Sequence, residues 1–153
     1  MTVNKEVEII VKNFVLTEEE YDDFSILDDV KIDKIITMSP TIIGRLEIKI
    51  ASLEQQRFKL HQEYKREKAR KILAARKLKG EDKLTNATDR ESWALLQESV
   101  ITAMDAEIEC VTQIKEAKAV YEYWRNQFIA ARKLANKVEK QLELELQNAR
   151  FIP

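Results

Sequence analysis

Apolar residues recur at alternating steps of three and four through most of the chain, and this heptad spacing predicts long α-helices. In the first predicted helix the apolar positions are Ile43, Leu46, Ile50, Leu53, Leu60 and Tyr64. In the second they are Trp93, Leu96, Val100, Met104, Ile108, Val111, Ile114, Ala117, Tyr121, Trp124, Phe128, Ala131, Ala135, Val138 and Leu142. The spacing slips near Ile114, where we expect a bend or a change of packing partner.

Local signals mark the ends of the first helix. Ser39 and Pro40 predict its start, because serine caps helix N-termini and proline is favourable at the first helical position. Gly80 predicts its end. A helix over residues 40–79 would be roughly 60 Å long at about 1.5 Å per residue.

A polar turn over residues 81–87 separates the two helices. Thr88 and Glu91 have the spacing of a capping box at the start of the second helix. From Trp93 to Gln147 the sequence contains neither proline nor glycine. Two long helices joined by a short turn predict an antiparallel hairpin over residues 39–150 and an all-α fold.

Residues 1–38 are the least regular segment. Val7, Ile9 and Val11 alternate in a way typical of a short strand, although a run this brief is ambiguous. Thr17 and Glu20 have capping-box spacing for a short helix. The segment is also acidic, because Lys31 is the only basic residue within the span of Glu18, Glu19, Glu20, Asp22, Asp23, Asp28, Asp29 and Asp33. Docking of a basic protein partner is one candidate role for it.

The predicted hairpin leaves the end of the second helix without a partner. If residue 79 lies beside residue 89, Leu60 pairs with Ile108 and roughly twenty residues of the second helix overshoot the first. An apolar stripe without an internal partner usually packs on another subunit. We therefore expect a homo-oligomer, with candidate oligomerisation residues Trp124, Phe128, Ala131, Val138 and Leu142.

Composition restricts the class of protein. Charged residues make up 35% and aromatic residues 7% of the 153 positions, which suits long exposed helices better than a thick core. The single Cys110 cannot form an internal disulfide, and we expect it to pack as a small hydrophobic residue. No apolar run approaches the ~20 residues that span a membrane. We expect a cytoplasmic protein.

The formal net charge of −1 hides a basic stretch over residues 57–79, in which ten basic residues face two acidic ones, a difference of +8. The basic residues are Arg57, Lys59, Lys65, Arg66, Lys68, Arg70, Lys71, Arg76, Lys77 and Lys79. Within it Arg57, Glu67 and Lys71 occupy heptad positions that ask for apolar side chains. A solvated helix face is the plain alternative. We favour nucleic-acid binding, because dense cations bind phosphates by displacing condensed counterions.

Single strands are favoured over duplexes, because no helix-turn-helix, zinc-finger or basic-zipper pattern is present. Phe58 and Tyr64 are the aromatic residues near the basic stretch that could stack on bases, but core packing is the favoured role for each. The candidate nucleic-acid-binding residues are Lys65, Arg66, Lys68, Arg70, Lys71, Arg76, Lys77 and Lys79.

Catalysis has little support in the sequence. One histidine, His61, and one cysteine cannot make an imidazole pair or a thiolate cluster for a metal. No glycine-rich loop is present to hold a nucleotide's phosphates. We expect neither an enzyme nor a cofactor.

Residues 68–80 read KARKILAARKLKG, and the Lys68-Ala69-Arg70 start of this run resembles the UvsY recombination mediator family of T-even-type phages. The acidic-hydrophobic run at residues 29–33 and the Tyr123-Trp124 pair are similar in placement to features of that family. The resemblance covers roughly residues 29–142. It departs from the family at residues 72–74, which are aliphatic where the family has aromatics, and residues 1–28 have no counterpart.

The resemblance implies a ring-shaped homo-oligomer that binds single-stranded DNA through Lys68 and Arg70. It also implies a role in DNA recombination and repair, in which the protein destabilises a single-strand-binding protein on DNA and helps to load a recombinase. A phage-encoded chain would act in the host cell cytoplasm. The alternative is a structural or scaffolding coiled-coil phage protein with no nucleic-acid role.

Overall fold

The computed structural model describes residues 29–150, which form three α-helices and one 3₁₀ turn with no strand among them. The elements are α1 (Asp29–Ala75), the 3₁₀ turn (Gly80–Asp82), α2 (Ala87–Leu95) and α3 (Glu98–Ala149). The predicted all-α class is therefore confirmed for this part of the chain. The strand predicted around Ile9 and the helix predicted at Thr17 lie outside the described residues.

The chain divides into two compact units. Of the described residues, 29–49 and 117–150 belong to one, which we call the terminal unit. Residues 50–116 form the other, which we call the central unit. The basic stretch over residues 57–79 lies entirely in the central unit.

α1 begins at Asp29, ten residues before the predicted start at Ser39, so that prediction is wrong. Pro40 lies inside the helix, where its missing N–H leaves one helical carbonyl without a donor at a cost of about 3 kcal/mol. Ile32 and Ile35 are both buried upstream of it. Burial of two such side chains stabilises by roughly 3–6 kcal/mol in all, which is enough to offset the proline.

In the terminal unit, α1 and α3 pack together through two small apolar clusters. Ile32 and Ile35 bury Ala131, and Ile42 and Leu46 bury Trp124. Contact positions rise along α1 as they fall along α3, so these two helix segments run in opposite directions. Their burial pattern continues the heptad spacing upstream of Pro40.

The terminal unit gives two of the predicted oligomerisation residues a packing partner within the same chain. Ala131 is buried by Ile32 and Ile35, in the part of α1 that precedes the predicted start, and Trp124 is buried by Ile42 and Leu46 of the same helix. Phe128 is half-buried, with the Arg132 guanidinium 5.6 Å from its ring centre. Of the five candidates, Val138 and Leu142 remain exposed.

Several buried polar atoms in the terminal unit lack hydrogen-bond partners among the described residues. They are the Ser39 hydroxyl, the Trp124 indole N–H and both amide atoms of Gln127. All three side chains are at most 2% exposed. Because a buried polar group without a partner costs about 1–3 kcal/mol, this layer is a weak point of an otherwise apolar contact.

In the central unit, α1 and α3 meet through Leu53 and Cys110, and the Cys110 thiol donates to the Leu53 carbonyl at 3.4 Å. Met104 and Ile108, which the heptad pattern assigns to the core, are instead exposed. The helix face toward α1 carries Glu107 between the buried Val100 and Cys110. Met104 and Ile108 therefore have the spacing of a heptad seam, but their side chains are exposed and do not pack against α1.

The second predicted helix is divided into α2 and α3. Asn86, not Thr88, caps α2, and its side chain accepts a hydrogen bond from the Asp89 N–H at 2.7 Å. Ala94 and Val100 on either side of the break are both buried. Six residues correspond to roughly 240° on a straight helix, so only a break lets both face the core.

Candidate nucleic-acid interface

The basic stretch occupies the last turns of α1 and the connector that follows it. α1 ends at Ala75, five residues before the predicted stop at Gly80. Hydrogen bonds from the Lys77 and Leu78 amides to carbonyls three residues back tighten the chain after the helix. Gly80 adopts a φ of 73°, a left-handed conformation that favours glycine, and the chain turns there.

Lys68 and Arg70, the two contacts implied by the resemblance, are both paired with carboxylates. The Lys68 ammonium donates to Glu91 on α2. The Arg70 guanidinium donates to Glu67 one helical turn earlier at 2.7 Å. Arg70 nevertheless remains exposed, with 77% of its side-chain surface accessible.

The other six candidates form no ion pair with any carboxylate whose position is described in residues 29–150. They are Lys65, Arg66, Lys71, Arg76, Lys77 and Lys79. Five of them are exposed and Lys71 is half-buried. Within the described residues these six cations therefore have no carboxylate to give up before they contact phosphate.

Sequence reasoning missed one cation of the connector. Lys83 is exposed, and its backbone N–H donates to the Gly80 carbonyl at 3.2 Å, closing the 3₁₀ turn after Lys79. Two acidic residues precede it in the sequence and obscure the signal. The turn adds Lys83 to the basic connector.

The three heptad positions with charged residues behave differently from one another. Arg57 is exposed, whereas Glu67 and Lys71 are half-buried. Of these three charged heptad positions, only Arg57 is therefore exposed to solvent. At Glu67 the carboxylate has a partner in Arg70.

The aromatic residues near the basic stretch also differ. Tyr64 is half-buried, and its ring centre lies 6.4 Å from that of His61. The His61 Nδ1 is 3.1 Å from both carboxylate oxygens of Glu107, joining α1 to α3. Phe58 is 65% exposed, so the core role favoured for it is wrong.

Two further features of the described part of the chain bear on the site. Among residues 29–150 no three or more His, Cys, Asp or Glu side chains lie close enough together to hold a metal ion. None of the helices in that range has a stretch both long and apolar enough to cross a membrane. Comparison with family models, with curated proteins and with solved structures found no match.

Proposed function

We propose that the protein binds single-stranded DNA through the C-terminal part of α1 and the connector after it. The observation that supports this most is the set of six cations without carboxylate partners in the described residues. A cation that is already paired must give up its carboxylate to bind phosphate. These six cations have no carboxylate to give up, so each phosphate contact is a new one. Single strands are favoured because nothing in the sequence predicts a motif that enters a duplex groove.

The biological role that we propose is that of a recombination mediator. A homo-oligomer, as a ring, would present several basic surfaces to one DNA strand and help a recombinase to replace a single-strand-binding protein. Support for this role comes from the resemblance around Lys68 and Arg70. In the same proposal α1 and α3 form one long helical hairpin, and Val138 and Leu142 contribute to contacts between subunits.

A salt titration tests DNA binding. Removing three connector cations (Arg76→Ala, Lys77→Ala and Lys79→Ala) should reduce the slope of log affinity against log salt by about 2, since each phosphate contact on single strands contributes about 0.7. The matched control removes three exposed lysines of α3 (Lys133→Ala, Lys137→Ala and Lys140→Ala). Equal loss in both triple variants, or no binding by the wild type at low salt, would count against the proposal.

A scaffolding coiled coil without a nucleic-acid role is the second candidate. One observation favours it: Ile101, Met104 and Ile108 are exposed at steps of three and four along one face of α3. Such a stripe is typical of helix–helix association. The wild-type titration separates the candidates, because a scaffold would ignore oligonucleotides at ~50 mM salt while still assembling.

A further inference from the structure

Phe58 is an exposed aromatic residue at the start of the basic stretch. Its side chain is 65% exposed, and its sequence neighbours Arg57 and Lys59 are exposed as well. A large apolar ring left in water gains free energy when a flat apolar partner covers it. Because cations flank this ring, the partner that fits both is a nucleobase, which stacks on the ring while its phosphate meets the charge.

Phe58 also borders a cavity of about 270 Å³ in the central unit. The other lining residues are Glu54, Arg57, His61 and Glu107. The contact between His61 and Glu107 joins α1 to α3 at this wall and holds the carboxylate in place. The volume is close to the lower end of small-molecule pockets, which begin at about 300 Å³.

We propose that Phe58 and this cavity bind one unstacked base of a single-stranded nucleic acid. The base would stack on the Phe58 ring, and its exocyclic amino group would donate to Glu107, as bases with such groups do to carboxylates. The Arg57 guanidinium would donate to the adjoining phosphate. This inference rests on the proposed function and adds a base contact to its phosphate contacts.

A protein helix is the competing occupant, because Met104 and Ile108 are exposed nearby in the sequence of α3. Four of the five lining residues are charged or titratable, however. An apolar helix face would remove water from these groups and add no polar contact of its own, at a cost in free energy. A base carries donors and acceptors on its edge and an apolar face, so it matches both parts of the site.

The experiment compares a labelled oligonucleotide with a strand of the same length whose residues are abasic, using fluorescence anisotropy. Wild-type protein should bind the strand with bases about tenfold more tightly, and Phe58→Ala should lose that preference. Phe58→Trp should retain it. The salt slope should stay unchanged in Phe58→Ala, because no phosphate contact is removed.

Leu73→Ala is the matched control, since Leu73 is also exposed on α1 within the basic stretch but does not line the cavity. It should leave both affinities unchanged. If Phe58→Ala binds both strands as wild type does, with a steep salt slope, this inference is overturned while the proposed function stands. If Phe58→Ala lowers the mass of the assembly, Phe58 is a subunit contact and the inference also fails. A wild type that binds neither strand overturns both.

Discussion

Lys68 on α1 donates a hydrogen bond to the Glu91 carboxylate on α2. This hydrogen bond raises the pKa of Lys68 above its ordinary value, so the ammonium stays charged throughout the neutral range. Half of the Glu91 side chain is exposed, and ion pairs in such places contribute little to stability. Glu91 is therefore paired with a cation that the resemblance assigns to DNA. Because this ion pair is weak, a phosphate could compete with Glu91 for the Lys68 ammonium.

Glu91→Gln should increase affinity for single-stranded DNA. Removing the carboxylate leaves Lys68 free for phosphate, and an exposed ion pair of about 0.2–1 kcal/mol corresponds to a gain of roughly 1.5- to 5-fold at low salt. Glu109→Gln is the control, because it removes the same charge from an exposed α3 residue that is not paired with Lys68. Equal gains in the two variants would mean that net charge alone, and not the contact with Lys68, is responsible.

Ser39→Ala should raise the free energy of unfolding by about 1 kcal/mol, or Tm by about 2–4 °C. The Ser39 hydroxyl is fully buried without a hydrogen-bond partner in the described residues. Folding therefore removes its bonds to water and replaces them with none. Ser52→Ala controls for helix propensity, because Ser52 is exposed on the same helix. Thermal and urea unfolding measure both. A Ser39→Ala variant less stable than Ser52→Ala would show that the hydroxyl has a partner, such as a buried water.

In the proposed homo-oligomer, replacing Val138 and Leu142 together with serine should lower the mass of the assembly. Both side chains are exposed on α3 beyond the positions that α1 buries. Leu144→Ser is the control: Leu144 is equally exposed but lies roughly 200° around the helix from Leu142. Sedimentation at several concentrations measures the effect. An unchanged mass in the double variant would place the subunit contact elsewhere, with the face at Met104 the next to test.

Cys110 should react slowly with iodoacetamide in the folded protein. Burial raises the pKa of its thiol, so little thiolate is present at neutral pH. Unfolding in urea should accelerate the reaction many-fold, and mass spectrometry follows it at this single cysteine. The thiol ionises at a lower pH in the unfolded chain than in the folded protein. The free energy of unfolding should therefore fall as pH rises above 9.0. A native rate equal to that of the unfolded chain would contradict the buried position.

The sequence predicted the helical class because apolar spacing of three and four is a strong, long-range signal. It placed the start of α1 too late, since Ser39 and Pro40 have the local chemistry of a helix start. That local preference is outweighed by burial of Ile32 and Ile35 against α3, which only the tertiary contact reveals. The break at residues 96–97 has no glycine or proline to announce it and also depends on packing.

The basic stretch could be read from charge alone, but the state of each cation could not. Lys68 and Glu91 are distant in sequence, and their pairing depends on where α2 lies. The exposure of Phe58 was likewise hidden, because apolar residues near a heptad seam resemble core residues in sequence. Carboxylate pairing and aromatic exposure are therefore properties of the fold that composition does not contain.

The division between α2 and α3 gives the chain two helices of very different autonomy. Nine residues are fewer than the roughly 12–15 that an isolated helix needs, so α2 depends on its neighbours, whereas the 52-residue α3 has a long apolar contact of its own. Leu96 and Gln97 connect the two helices, and their N–H groups donate to the Trp93 and Ala94 carbonyls. Glu91 lies on this short helix, so the ion pair between Lys68 and Glu91 connects α1 to the least autonomous helix of the described chain.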